Sequence, residues 1–495
     1  MGRAFRDLPE FLEFLEERGD LLRIRSEADP RLEIAEIARR SVRAGAPALL
    51  FERVRGSRWP VAINVLAHER RVAWGLGEES LDPAIERIRS LLRLRPPAGL
   101  VAALKDLGGT LEQIQWLRSL APQRVSRGDF EEVTEARVDL GTLPVLTCWP
   151  RDGGPTVTFP LVFTRNPETG ESHVGVYRLQ VYGPDTLGFH VQVHRVGAEN
   201  LRRHARRGEK MPVAVALGAD PATLFAALSP VPEGLSKLAF AGFLRGQPVP
   251  VVRLPGTELE VPAACEIVLE GYVNPAERHV EGPFGDHTGF YSLPEEFPVL
   301  HVTAVHRREA PVYLTTVTGK PPTEDSVLGR VVGRLFLPVI QTLLPEVVDM
   351  DLPAEGLFIN VGIIAIRKSY PFHARKVMHA LWGLGQLMFL RYIVVVDADV
   401  NPRDHREVLY RVGLQADPRE DLEIVSGPVD QLSVSNRRPN IGGKVGIDAT
   451  RKLPEEGYGR PWPEEAVTDP GVTRRVEEWL QGEPALARVL GRRKA

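Results

Sequence analysis

Cysteine is almost missing from this chain: Cys148 and Cys265 are the only two in 495 residues. So few thiols exclude a disulfide framework and a cysteine zinc motif, and they point to a reducing compartment. Long apolar runs are missing as well, since no segment approaches the roughly 20 apolar residues of a membrane span. The N-terminal run Arg6 to Glu17 interleaves acids with Leu and Phe, which reads as an amphipathic helix and not as an apolar leader. Nor is there an excess of charge of one sign. With 62 basic and 65 acidic residues the formal net charge is -3, so no basic field suggests nucleic acid as a partner. These absences predict a cytoplasmic protein without a transmembrane segment. Lysine is also scarce beside arginine, which draws attention to each lysine that is present.

The length exceeds what one core fills, about 250 to 300 residues. Residues 1–125 alternate helix and strand: helices near Glu10 to Arg18 and Leu32 to Ala44, strands at Leu21 to Arg25 and Ala48 to Phe51, then a linker helix over 111–125. Residues 126–320 carry many short β-rich runs punctuated by Gly and Pro, the pattern of a barrel, interrupted by helices at Pro221 to Leu228 and Leu235 to Leu244. Residues 321–465 return to βα alternation and predict an open, mostly parallel sheet, and 466–495 form a helical tail. The fold class is therefore α+β multidomain.

The densest signal is Glu281-Gly-Pro-Phe-Gly-Asp-His-Thr-Gly289. Three glycines and a proline forbid a helix interior and spoil a strand ladder, leaving a shaped loop with a carboxylate at each side of Phe284. Such loops position chemistry more often than they hold a core, although a solvated hairpin turn is the commoner reading of these residues alone. In Ser172 to Val181 an apolar strand carries Arg178, which needs an ionic partner or an anionic ligand. His190 and His194 lie on one face of a second strand-like run, about 13 Å apart by strand rise, too far for one metal ion. Lys444 follows paired glycines in a plausible phosphate cradle that is not a Walker motif. The acidic cluster Asp397 to Asp404 reads as an Asx-turn and helix cap.

Taken together, Leu32 to Ala38, Gly45 to Phe51, Gly175-Val-Tyr-Arg178, Ala239 to Gly246, Glu266 to Tyr272, Glu281 to Gly289, Thr318 to Pro322 and Lys444 to Thr450 resemble the UbiD family of aromatic and α,β-unsaturated acid decarboxylases over nearly the whole chain. The resemblance implies a central split β-barrel (flavin-reductase-like) that binds prenylated FMN, between an N-terminal α/β domain and a C-terminal α/β domain that mediates oligomerisation. It implies a carboxy-lyase, with quinone (ubiquinone or menaquinone) biosynthesis as the setting. Loss of CO₂ from an sp² carbon needs an electron sink, which no side chain supplies; in the family a covalent adduct with the prenylated flavin provides it. By motif position Arg178 would hold the substrate carboxylate, Glu281 would act with it, and Asp286 would donate the proton. A proton donor near neutral pH needs a raised pKa, which a like charge and an apolar wall at Phe284 would supply.

The same resemblance implies flavin contacts from Val176, Tyr177, Arg178, His190, Val191, Gln192, Arg195, Val196 and, at the phosphate, Lys444. Family members hold a divalent ion, usually Mn²⁺, with Asn, His and Glu; the matching positions here are His173, His194 and Lys237. A protonated lysine repels a hard cation, so the usual metal site is altered. Either Lys237 pairs directly with the flavin phosphate, or the cofactor is not bound, with Glu233 as a substitute ligand a further alternative. The implied partners are an aromatic carboxylic acid, a flavin prenyltransferase, a membrane surface if the substrate is prenylated, and further copies of the chain in a dimer or hexamer. An accessory subunit and an enzyme using unmodified FMN remain the rival readings.

Overall fold

The computed structural model describes residues 3–93, 119–135, 137–231 and 235–491. The expected linker helix lies largely outside the described residues, as does Glu233. Two units emerge, the first comprising residues 1–368 and 373–450 and the second residues 369–372 and 451–495.

In the first unit, helix Leu8–Glu17 starts where the Asp7 carboxylate accepts the Glu10 N–H, with Pro9 in the first turn. Its apolar residues at helical spacing, Leu8, Phe11, Leu12 and Leu15, are all buried. Strands Leu21–Ile24 and Ala48–Phe51 pair in parallel across helix Glu33–Arg43, and Val61–Ile63 adds antiparallel. The fourth strand of this sheet is Tyr313–Thr315, from the far end of the segment expected to be all barrel.

The central sheet has nine strands, and every pairing in it is antiparallel. Its spine is a long hairpin, Ile267–Glu281 against Glu295–Arg307, paired from Ile267 opposite Arg307 to Glu281 opposite Glu295 with register shifts after Glu270 and between Val273 and Arg278. Residues 282–294 are therefore the tip of the two longest strands. Two expected strands are shorter than their apolar runs. Ser172–Gly175 ends early because the Tyr177 ring folds back over Gly175, where a Cβ would collide with it, and Leu179–Val181 starts a new pairing. Thr186–Phe189 ends before His190, and a turn in which the Arg195 N–H donates to the Gln192 carbonyl leads into helix Val196–Arg207. Interruptions of the strands at 176–178 and 190–195 thus release Arg178, His190 and His194 from strand geometry.

Beyond helix Glu324–Leu343 lies a five-stranded sheet. Val361–Ile366, Tyr392–Asp397 and Ile441–Asp448 are parallel neighbours, flanked by antiparallel edges Val347–Asp351 and Leu422–Pro428. Helices His373–Trp382 and His405–Gln415 complete the alternation, and Asp404 caps the latter by accepting the Arg406 and Glu407 N–H groups. Helix Glu324–Leu343 is long and apolar enough to cross a membrane, yet it carries Arg330 and Arg334 and buries Leu328, Val331, Leu335 and Ile340 in the protein. The second unit consists mainly of helices Pro470–Gln481 and Pro484–Gly491, the first capped by Asp469.

Candidate active site

Residues 282–294 are held by buried and half-buried side chains from several segments. The Gly282 N–H donates to Gln180 Oε1 (2.7 Å), the Gly285 N–H to Asp152 Oδ1 (2.8 Å), and Thr318 Oγ1 to the Gly285 carbonyl (2.9 Å). Asp152 is itself anchored by the N–H groups of Cys148 (3.1 Å) and Trp149 (2.8 Å). Gly285 is required sterically, because a Cβ there would run into the Trp149 ring.

This frame delivers both acids to one guanidinium. Arg178 Nε donates to Glu281 Oε1 at 2.7 Å and Nη2 to Glu281 Oε2 at 3.0 Å, a bidentate pair, while Nη1 donates to Asp286 Oδ2. The Phe284 ring covers the guanidinium carbon at 4.6 Å, and Ser292 Oγ lies 3.4 Å from Nη2. Glu281 is fully buried. His190 Nδ1 is 3.2 Å from Glu281 Oε2, and its Nε2 is buried without a partner. Burial lowers the His190 pKa, with the Arg178 charge adding to it, so the neutral ring donates Nδ1–H to the carboxylate and keeps a lone pair on Nε2. On the other side, Asp286 Oδ1 accepts the His287 N–H (2.7 Å) and lies 3.1 Å from His287 Nδ1.

The expected raised acid is not found in this arrangement. Burial opposes ionisation of Glu281, but hydrogen bonds from His190 and Arg178 outweigh it and hold the carboxyl at about 2. Burial likewise opposes ionisation of Asp286, and the Arg178 charge with His287 holds it well below the usual carboxylate range. Phe284 fails to act as an apolar wall because it stacks on the arginine instead. A depressed folded pKa has a stability consequence with a definite sign. The Glu281 contribution is fully present above its unfolded value of 4.5 and is lost as pH falls through about 2. Urea unfolding between pH 5 and 2.5 should therefore show wild type losing a few kcal/mol more than Glu281→Gln.

A second cluster gathers the residues matched to the phosphate end. Tyr177 is buried edge-on to Phe189 (5.7 Å); its hydroxyl lies 3.1 Å from His173 Nε2 and accepts the Gly197 N–H at 3.4 Å. Burial, then the nearby Lys237 and Arg195 charges, push His173 down to about 3. Burial and Arg195 push Lys237 down to about 7 and His194 to about 4. Lys237 Nζ donates to the Ala227 carbonyl at 2.5 Å. His194 packs against Phe389 at 4.6 Å and keeps a buried, unpartnered Nε2. Val191 is buried, Val176 and Gln192 are half-buried, and Val196 is half exposed at the start of its helix. Lys444 is directed elsewhere: its buried ammonium donates to the Met388 carbonyl, beside the Trp382 ring, and burial pushes it down to about 8. It adjoins the cluster only through the step from Met388 to Phe389.

No group of three or more His, Cys, Asp or Glu able to hold a metal ion occurs among the described residues. His173, His194, Lys237 and Arg195 are a donor set for an anion, and they do not fit Mn²⁺. Sequence reasoning missed His287 and Asp430 as site residues: His287 Nε2 lies 2.9 Å from Asp430 Oδ2, a close ion pair that is not an in-line hydrogen bond. The histidine stood inside the singled-out loop, whereas nothing local marked Asp430.

Known proteins share this architecture. A protein from Archaeoglobus fulgidus described only as uncharacterized is 46% identical over 476 residues, 96% of this chain and 98% of that one. The closed form of vanillic acid decarboxylase from Sedimentibacter hydroxybenzoicus superposes with a TM-score of 0.85 at 26% identity, covering 97% of this chain and 99% of that one. An evolved dimeric form of the UbiD-class enzyme HmfF from Pelotomaculum thermopropionicum, in complex with prFMN, gives 0.77 at 28% identity, with 95% and 98% covered. Residues 12–92, 123–321 and 326–449 match the N-terminal, Rift-related and C-terminal domains of 3-octaprenyl-4-hydroxybenzoate carboxy-lyase, so the chain belongs to the UbiD family of decarboxylases.

Proposed function

We propose that this chain is a prenylated-FMN-dependent carboxy-lyase acting on an aromatic or α,β-unsaturated carboxylic acid, with the nine-stranded sheet as the split barrel that carries the cofactor. The observation that carries the reading is the buried Arg178–Glu281–Asp286 cluster beside His190, whose Nε2 is unpartnered. Bound there, prenylated FMN supplies the electron sink that loss of CO₂ requires. Of the five guanidinium N–H donors, Glu281, Asp286 and Ser292 engage four, the last at a long 3.4 Å, which leaves capacity to grip a substrate carboxylate. Glu281 fixes the guanidinium, and Asp286 is the group placed to carry a proton to the substrate carbon. The family description, a 3-octaprenyl-4-hydroxybenzoate carboxy-lyase, supports a prenylated hydroxybenzoate as the kind of acid, and quinone biosynthesis is the setting we propose for it. Exposed Leu409, Tyr410 and Leu414 on helix His405–Gln415 support a homo-oligomer built through the C-terminal domain.

The cofactor phosphate is held without a divalent metal in this reading. A phosphate dianion beside Lys237 and Arg195 would reverse the depression of the lysine, and two of its three N–H donors remain beyond the one given to Ala227. Charge-assisted hydrogen bonds contribute about 1.5–3 kcal/mol. Lys237→Ala is therefore expected to weaken flavin binding about 10- to 100-fold, while EDTA leaves wild-type occupancy unchanged. Flavin absorbance after dialysis against EDTA decides: loss of flavin from wild type would establish a metal-dependent site.

A further inference from the structure

Decarboxylation converts a carboxylate into a C–H bond and CO₂, and so takes up one proton per turnover. On the carboxy-lyase reading, Asp286 must be reloaded after each cycle although it is buried and held ionised. Its described partners are Arg178 Nη1, the His287 backbone N–H and His287 Nδ1. A guanidinium keeps its protons in proteins, and a backbone amide is not an acid at these pH values. His287 is the titratable donor that remains.

The imidazole is held at both nitrogens, Nδ1 at 3.1 Å from Asp286 Oδ1 and Nε2 at 2.9 Å from Asp430 Oδ2. Asp430 follows strand Leu422–Pro428 of the C-terminal sheet, and its neighbour Gln431 donates to Glu295 at 2.8 Å, where the loop rejoins the hairpin. A third carboxyl, Asp325 in the first turn of helix Glu324–Leu343, lies within electrostatic range and is tied to Thr323 Oγ1 and the Ser326 N–H. Phe358 packs 5.8 Å from the ring, and the nearest cation on this path is Arg178, on the far side of Asp286. Three acids around one imidazole favour the imidazolium, and burial, which works the other way, is outweighed. Its side chain keeps 12% of its surface exposed, whereas Glu281 keeps none, so the ring is the part of this path nearest solvent even though Nε2 itself is buried.

We propose that His287 is the positioning residue that supplies the proton to Asp286, and that Asp430 of the C-terminal domain keeps its ring charged and oriented. Asp286 is ionised at rest, so the Nδ1–H bond of the imidazolium breaks as an O–H bond forms on Asp286 Oδ1 and that proton passes on to the substrate carbon, which leaves Asp286 ionised again. The neutral ring, its Nε2–H still facing Asp430 at 2.9 Å, regains a proton from a buffer acid, so that one solvent proton enters for each CO₂ released.

The test uses wild type, His287→Asn, His287→Ala and Asp430→Asn, each co-expressed with a flavin prenyltransferase and matched for flavin content and melting temperature. Vanillate and 4-hydroxybenzoate serve as substrates. His287→Asn keeps a donor toward Asp286 but cannot relay a proton, and kcat should fall about 10²-fold with KM unchanged. Added imidazole should restore part of the His287→Ala rate, and Asp430→Asn should move the alkaline limb of the kcat profile down by at least about one pH unit. Full kcat in His287→Asn, no rescue, or an unmoved limb overturns the proposal. Nitrogen-15 NMR of the histidine rings gives a second readout, independent of turnover. A doubly protonated His287 at pH 8 in wild type that is neutral in Asp430→Asn upholds the relay, and a neutral ring in wild type overturns it. Should wild type convert neither acid, the carboxy-lyase reading fails on these substrates while the NMR titration still decides the relay.

Discussion

Asp286→Asn is expected to lower kcat by about 10²- to 10⁴-fold, the range that a positioned general acid contributes, with flavin content unchanged. The substitution is nearly isosteric, and the amide keeps an oxygen for the His287 N–H, which now donates to Oδ1 at 2.7 Å. What disappears is the capacity to carry a proton, together with the negative charge that Arg178 Nη1 and His287 face. Because Glu281 remains bidentate on Arg178, the guanidinium stays in place and KM should change less than kcat. Single-turnover and steady-state assays on the flavin-loaded protein measure both. Full turnover in Asp286→Asn would remove Asp286 as proton donor.

Arg178→Met should be more damaging still, abolishing turnover and destabilising the fold together. Deleting one member of a buried ionic cluster costs about 3–5 kcal/mol, because the partners are left charged and unpaired. Here two carboxylates would lose their common cation: Glu281 at 2.7 and 3.0 Å, and Asp286. Both pKa values should then rise, since burial, the force that the arginine overcomes, is left acting. Urea unfolding at pH 7 against pH 5 gives the check: the variant should gain stability on acidification, because its folded acids take up protons that the unfolded chain does not, whereas wild type should change little. Equal stability of the two proteins at pH 7 would mean that the cluster is not a structural unit.

How much of this could be read beforehand depended on the range of the interactions involved. Helices at His373–Trp382 and His405–Gln415 and the strand Tyr392–Asp397 follow from periodicity and caps within each segment. The strand carrying Arg178 was misjudged because its break depends on a ring, Tyr177, folding over a glycine, which apolar alternation does not encode. The meeting of Arg178 with Glu281 and Asp286 came from family resemblance and not from local pattern. The direction of their pKa shifts could not be read, because it depends on which of burial, Arg178 and His287 prevails in three dimensions. Asp430 was invisible for the same reason: it meets His287 only when the C-terminal sheet lies against the hairpin tip. Lysine scarcity was a usable signal at Lys237, which does sit within range of His173 and Arg195, and a poorer one at Lys444, whose ammonium is taken by Met388.

The most direct test is the mass of the flavin that this chain retains when it is co-expressed with a flavin prenyltransferase and then dialysed against EDTA. The expected result is prenylated FMN at close to one per chain, with no manganese remaining. A protein that emerges with no flavin, or that releases it when the metal is stripped, would contradict a carboxy-lyase whose cofactor phosphate is held by Lys237 and Arg195.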